Sequence, residues 1–85
     1  MPKSPGVYLM KDVQGVVLYV GKAKSLRERV SSYFQPSADL AQSRGPKIVD
    51  MVARIAEISH LECETEVEAI LQESRLIKDV QPAYN

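Results

Sequence analysis

Between Tyr19 and Arg29 the chain runs Tyr-Val-Gly-Lys-Ala-Lys-Ser-Leu-Arg-Glu-Arg, passing from an apolar stretch through one glycine into a basic segment. A strand that meets a glycine and leaves as a helix fixes the order of two elements and permits a close approach at the turn. Upstream, residues 6–10 (Gly-Val-Tyr-Leu-Met) read as a short strand and residues 16–20 as a second. The polar connection between them ends in Gly15, so the two should pair as a hairpin and set Tyr8 beside Tyr19. The second strand has no polar alternation, which predicts a central strand covered on both faces. Phenols are thereby gathered beside Lys22, Arg27 and Arg29, a grouping suited to a phosphate.

The remaining elements follow from periodicity. Ser25-Leu26-Arg27-Glu28 has the form of a capping box, so a helix should begin at Leu26. Leu26, Val30 and Phe34 give it a buried face, with Arg29 and Tyr33 as a second four-spaced pair, and Pro36 ends it. Residues 35–45 read as a polar loop ending near Arg44. Pro46 suits the first turn of a helix with the stripe Ile48, Met51, Val52, Ile55 and Ala56. Residues 58–64 alternate as a half-exposed strand, with Leu61 and Cys63 inward and His60, Glu62 and Glu64 outward. Thr65-Glu66-Val67-Glu68 is a second capping box, opening a helix with the stripe Val67, Ile70, Leu71, Ser74 and Ile77 and closed by Pro82.

At 85 residues the chain has room for one core, and residues 1–85 read as one domain. No apolar run approaches the ~18 residues of a membrane helix. The N-terminus lacks the apolar region of a secretion signal, and a lone cysteine, Cys63, fits a reducing cytoplasm. Net charge is zero, but residues 1–34 carry six basic groups against two acidic ones while the rest carries five against nine. The organising junction lies in the positive part, as a polyanion site would require.

Glu73 stands apart. Its same-face neighbours, Ala69, Ile70, Leu76 and Ile77, are all apolar. A carboxylate so placed either pairs with a cation, Lys78 or Arg75 being within reach, or binds a metal. Phosphodiester cleavage needs an activated water, a cation against charge developing on the phosphoryl oxygens, and help for the leaving oxygen. Tyr8, Tyr19, Lys22, Arg29, Tyr33 and Glu73, with Asn85 at the edge, can supply all three. Lys22 would help Tyr19 act as a base, Arg29 would clamp the phosphate, and Glu73 would hold a divalent ion. The same phenols could instead attack phosphate covalently, or the surface could bind DNA without cutting it.

Gly6-Val7-Tyr8 and Tyr19-Val20-Gly21, with Lys22 and a downstream arginine, resemble the paired signature of the GIY-YIG nucleases. The longer blocks from Ser4 to Met10, Tyr19 to Leu26, Arg29 to Phe34 and Ile70 to Lys78, with the ending Pro82-Ala83-Tyr84-Asn85, closely resemble the UvrC-like family of bacterial nucleotide excision repair. The resemblance covers nearly the whole chain and departs only by valine for isoleucine in both triplets. It implies an α+β domain, a small three-stranded antiparallel sheet flanked by helices in the order β-β-α-α-β-α. It further implies a DNA endonuclease that cuts on the 3′ side of a lesion with Mg²⁺ or Mn²⁺. Tyr8, Tyr19, Lys22, Arg29, Tyr33 and Asn85 match its catalytic positions, and Glu73 its metal-binding glutamate. Such proteins continue into further domains, so the chain reads as an N-terminal piece of a longer cytoplasmic protein. Its substrate would be lesion-containing double-stranded DNA, with no membrane involved. The damage-loading protein UvrB would be reached through parts beyond this chain. A related stand-alone GIY-YIG repair nuclease is the neighbouring reading.

Overall fold

The turn after the first strand shows how locally the hairpin is specified. Asp12 accepts from the Gln14 and Val16 amides at 2.9 and 3.0 Å, and Gly15 takes a left-handed φ of 81°. In the computed structural model, which describes residues 1–34 and 44–85, this turn joins β1 (Gly6–Lys11) to β2 (Val17–Ala23). Helix α1 (Leu26–Ser31), helix α2 (Pro46–Arg54), strand β3 (Glu57–Glu62) and helix α3 (Glu66–Val80) follow. The strands form one antiparallel sheet in the order β2-β1-β3. No helix among the described residues is long and apolar enough to cross a membrane.

The central strand is therefore β1, not the one expected. β1 pairs with β2 on one side and with β3 on the other, leaving β2 at an edge. The apolar run in β2 has another cause. A bulge between Met10 and Lys11 leaves Leu18 as an extra residue opposite β1. Leu18 and Tyr19 consequently join Tyr8 and Met10 on one face, while Val17 and Val20 join Val7 and Leu9 on the other. Consecutive apolar residues thus serve two core layers from an edge strand.

Helices α1 and α2 cover the Tyr8 face through Leu26, Val30, Tyr33 and Met51; α3 covers the other through Ala69, Leu76 and Ile77. Each fully buried large side chain, such as Met10 or Leu26, contributes roughly 1.5–3 kcal/mol. In both flanking helices the buried stripe differs from the expected one. The chain tightens after α1, with the Tyr33 amide bonded to the Val30 carbonyl at 3.2 Å, so Tyr33 turns into the core and Phe34 is left exposed. On α3 the small side chain of Ala69 is the one pressed against the sheet, which leaves Val67, Ile70 and Leu71 exposed and turns Glu73 inward.

The caps divide in the same way. Thr65 Oγ1 accepts from the Glu68 amide at 3.1 Å as expected, while the Glu68 carboxylate reaches one residue further back, to the Glu64 amide. Ser25, however, makes no capping bond. The first amides of α1 are taken instead by main-chain carbonyls of the N-terminal segment, Leu26 by Ser4 and Arg27 by Pro2. Strand β3 is shorter than predicted and lies at an edge, so Leu61 is 45% exposed; Cys63, just beyond it, is buried. The predicted loop and the Pro36 stop fall outside the described residues, apart from Arg44 and Gly45.

Strand β2 also runs past Gly21 to Ala23, so the turn into α1 comes later than the glycine. What approaches Gly21 is the Tyr8 ring, its partner across the ladder, which a Cβ at that position would overlap. Gly21→Ala is expected to displace Tyr8 and lower stability by about 1–3 kcal/mol. Chemical denaturation checks this, and a loss under ~0.5 kcal/mol would show that the ring has room to move.

Candidate active site

Tyr8 projects from the middle of the central strand, and Tyr33 reaches it from the tightened end of α1. Their hydroxyls lie 2.9 Å apart in a buried hydrogen bond, with the rings edge to face at 6.0 Å. Tyr19, brought onto this face by the bulge, lies 6.2 Å from Tyr8 and is only half-buried. Arg29 sits one helical turn before Tyr33, with its guanidinium beside the phenols. Tyr8, Tyr19, Tyr33 and Arg29 therefore form one cluster.

Burial above all, then the hydrogen bond and charge of Tyr33, pushes the Tyr8 phenol well above its usual value; Arg29 pulls the other way. Tyr19 is raised by burial and Tyr33, with Glu73 adding a smaller push and Arg29 opposing. Burial works against the Arg29 charge, but Tyr8 and the other phenols more than offset it and raise its pKa. At neutral pH both shifted phenols hold their protons. Because the folded-state values exceed the unfolded value of about 10, the stability they lend is complete below pH ~10 and is lost above it. Stability should fall by about 1.4 kcal/mol per pH unit for each such phenol. In Tyr8→Phe the mean slope measured by denaturation between pH 9 and 11, an interval centred on the unfolded value, should be shallower by about half that amount, and an unchanged slope would contradict the assignment.

Lys22 does not assist Tyr19 as expected. It lies across the ladder from Val7, on the α3 side of the sheet, with its Nζ 3.9 Å from Glu73 Oε1. The cation opposing the Tyr19 shift is Arg29. Glu73 likewise meets a cation on another element, not Lys78 or Arg75 of its own helix. Its side chain is 20% exposed and that of Lys22 49%, so the pair is partly open and long for a hydrogen bond. Among the described residues no three acidic, histidine or cysteine side chains gather as a metal cluster. One half-open carboxylate with hard oxygen donors suits a magnesium-type ion that keeps most of its waters, and does not suit zinc.

Asn85 lies at the open edge of β2, against the main chain of Val20, the residue after Tyr19. Its Oδ1 accepts from the Val20 amide and its Nδ2 donates to the Val20 carbonyl, both at 2.8 Å. With the Tyr84 amide on the Leu18 carbonyl at 3.0 Å, the tail pairs with β2 as a short additional strand would. Both polar atoms of the Asn85 side chain are thus engaged in fixing the strand that carries Tyr19 and Lys22.

Two residues were not singled out from the sequence as site candidates. Arg44 lies over the Tyr33 ring at 4.2 Å and donates from Nη2 to Ser32 Oγ at 2.9 Å. A cleft of about 600 Å³ opens beside the cluster, lined by Lys22, Lys24, Ser25, Arg29 and Arg44 among others. A single arginine after a polar stretch carries no periodic signal, and Ser25 read as a cap.

Residues 4–85 match the model of the UvrC-like GIY-YIG domain. The UvrABC system protein C of Chlamydia muridarum is 54% identical over 82 residues, which are 96% of this chain and 13% of that protein. The corresponding protein of Symbiobacterium thermophilum is 47% identical over all 85 residues, again 13% of its length. The chain thus spans about an eighth of these relatives. Among solved structures, the GIY-YIG N-terminal endonuclease domain of UvrC from Thermotoga maritima, bound to its catalytic divalent cation magnesium, superposes with a TM-score of 0.81. It is 36% identical, and the match covers 99% of this chain and 85% of that one.

Proposed function

The chain belongs to the UvrC-like GIY-YIG domain family, and from this we propose that it is the endonuclease domain of a nucleotide excision repair protein, making the incision on the 3′ side of a DNA lesion. The observation that carries the reading is the convergence of Tyr8, Tyr19, Tyr33 and Arg29, with a half-open carboxylate, Glu73, near enough to be felt at Tyr19. Lesion-containing double-stranded DNA is the substrate, loaded by UvrB through parts of a longer protein. Such a site acts in the cytoplasm.

Glu73 would hold Mg²⁺ or Mn²⁺, which when bound supplies positive charge against the scissile phosphate. Arg29 clamps the phosphoryl oxygens through its planar fork, which a lysine could not reproduce. Tyr8 is wholly buried and committed to Tyr33, so it orients the cluster. Tyr19, only half-buried, is the phenol that a water can reach; once it has released its own proton to solvent, with Arg29 opposing the upward shift, its phenolate would take a proton from the attacking water as Arg29 offsets the growing charge. The preference for Tyr19 rests on its exposure. Lys22 keeps Glu73 from standing as a lone charge and faces the cleft. Asn85 keeps β2 in register.

An end-labelled lesion duplex, incubated with Mg²⁺, the loading protein and the chain joined to the segment of the longer protein that binds that loading protein, tests this. Cuts on the 3′ side that leave 5′-phosphate and 3′-hydroxyl ends are expected. Cuts on the 5′ side would overturn the incision assignment, and a phosphotyrosine-linked adduct would replace hydrolysis by covalent catalysis.

A further inference from the structure

Among the described residues two buried side-chain polar atoms lack any hydrogen-bond partner, Ser25 Oγ and Arg44 Nη1, and both residues line the same cleft. Leaving such a group unpaired costs about 1–3 kcal/mol, more when it is charged. Two in one cavity suggest groups held ready for a ligand. Among the described residues the walls carry four cations, Lys22, Lys24, Arg29 and Arg44, against two carboxylates, Glu28 and Glu66, so the ligand is an anion. Tyr8, Tyr19 and Glu73 do not line the cleft, whereas Lys22 and Arg29 face both regions.

We propose that this cleft is a second phosphate subsite, which binds a backbone phosphate of the DNA strand next to the scissile one through Arg44 and Ser25. Its volume of about 600 Å³ is that of a nucleotide-sized site. Arg44 is already held in place: its guanidinium carbon lies 4.2 Å over the Tyr33 ring, Ser32 occupies Nη2, and Nη1, buried without a partner, would donate once the guanidinium turns toward the cleft. The Ser25 hydroxyl, released from capping by the Ser4 and Pro2 carbonyls, is the second donor. Stacking on Tyr33, which in turn bonds Tyr8, ties occupancy of the subsite to the tyrosine cluster. The assignment rests on the nuclease reading of the neighbouring site.

The test is a ¹⁵N NMR titration of the chain, first with inorganic phosphate and then with a short DNA duplex at several salt concentrations. It is run on the wild type, Ser25→Ala, Arg44→Met and, should the methionine variant not fold, Arg44→Lys. Saturable shifts at the Ser25 amide and Arg44 Nε are expected with phosphate alone. Ser25→Ala should keep or raise the Tm, because it removes an unpaired buried hydroxyl, yet weaken DNA binding about threefold to tenfold. Arg44→Met should weaken binding by a similar factor and reduce the salt slope by about one. Arg44→Lys should weaken binding while keeping the slope. Wild-type affinity in all the variants would overturn the subsite. Mg²⁺-dependent cleavage of the lesion duplex by the wild type, loaded as in the incision test above, is read in parallel. If cleavage is absent while the phosphate shifts persist, the nuclease reading fails and the anion site stands; if cleavage is intact without those shifts, only the subsite fails.

Discussion

Glu73→Gln should leave the domain folded and abolish divalent-dependent DNA cleavage, by about 10³-fold, since an electrostatic stabiliser of the transition state is commonly worth 10²–10³ and, among the described residues, no cluster of three acidic, histidine or cysteine side chains could take its place. The fold should survive because the carboxylate has little structural employment. Its partner, Lys22, is 3.9 Å away and half exposed, and an ion pair of that kind contributes about 0–1 kcal/mol. Glutamine keeps the size and polarity of the side chain against Ala69 and Leu76. Two measurements separate a metal ligand from a partner for Lys22. Paramagnetic broadening by Mn²⁺ should centre on residues around Glu73 and vanish in Glu73→Gln. Lys22→Met should retain that broadening, because it removes only the cation. If both substitutions gave the same modest effect and the broadening survived in Glu73→Gln, the carboxylate would serve Lys22 alone.

Arg29→Ala should lower kcat by about 10²–10³-fold while DNA affinity falls far less. The asymmetry follows from where the guanidinium stands. It neighbours Tyr8, Tyr19 and Tyr33, and its charge opposes the upward shifts of the Tyr8 and Tyr19 phenols. Removing it withdraws the cation beside the phosphate and raises both phenols further, so Tyr19 is ionised less often and is less often able to accept a proton as the transition state loses its cation. Binding is shared with Lys22, Lys24 and Arg44 along the cleft. Arg29→Lys should recover little, since a single ammonium cannot fork across two phosphoryl oxygens. Equal losses in binding and cleavage would make Arg29 a docking contact.

What could be read from the chain was what neighbouring residues decide together. The β1–β2 hairpin, the Gly15 turn and the Thr65 cap each depend on a few consecutive residues, and each formed. Tyr8 beside Tyr19 followed from the hairpin. Apart from the local tightening after α1 that exchanged Phe34 for Tyr33, the main misreadings come from contact across a long stretch of chain. β1 became central because β3, some fifty residues on, pairs with its free edge. The Ser25 cap was pre-empted by carbonyls of the N-terminal segment, and the register of α3 against the sheet was set by how closely Ala69 could approach. Helical periodicity allows two adjacent stripes on α3, and only packing chooses between them.

The sequence by itself determined the inventory of the candidate site and the order of its elements: three phenols, an arginine four residues before the third, a carboxylate among apolar residues, and the succession of strands and helices. The tertiary structure alone decided their relations. It placed Lys22 against Glu73 instead of Tyr19, buried Tyr8 against Tyr33 while leaving Tyr19 open to water, engaged Asn85 at the edge of β2, and brought Arg44 over the Tyr33 ring. The reason is that proton affinity and charge pairing depend on distance and burial, and these are fixed by contacts between residues far apart in the chain.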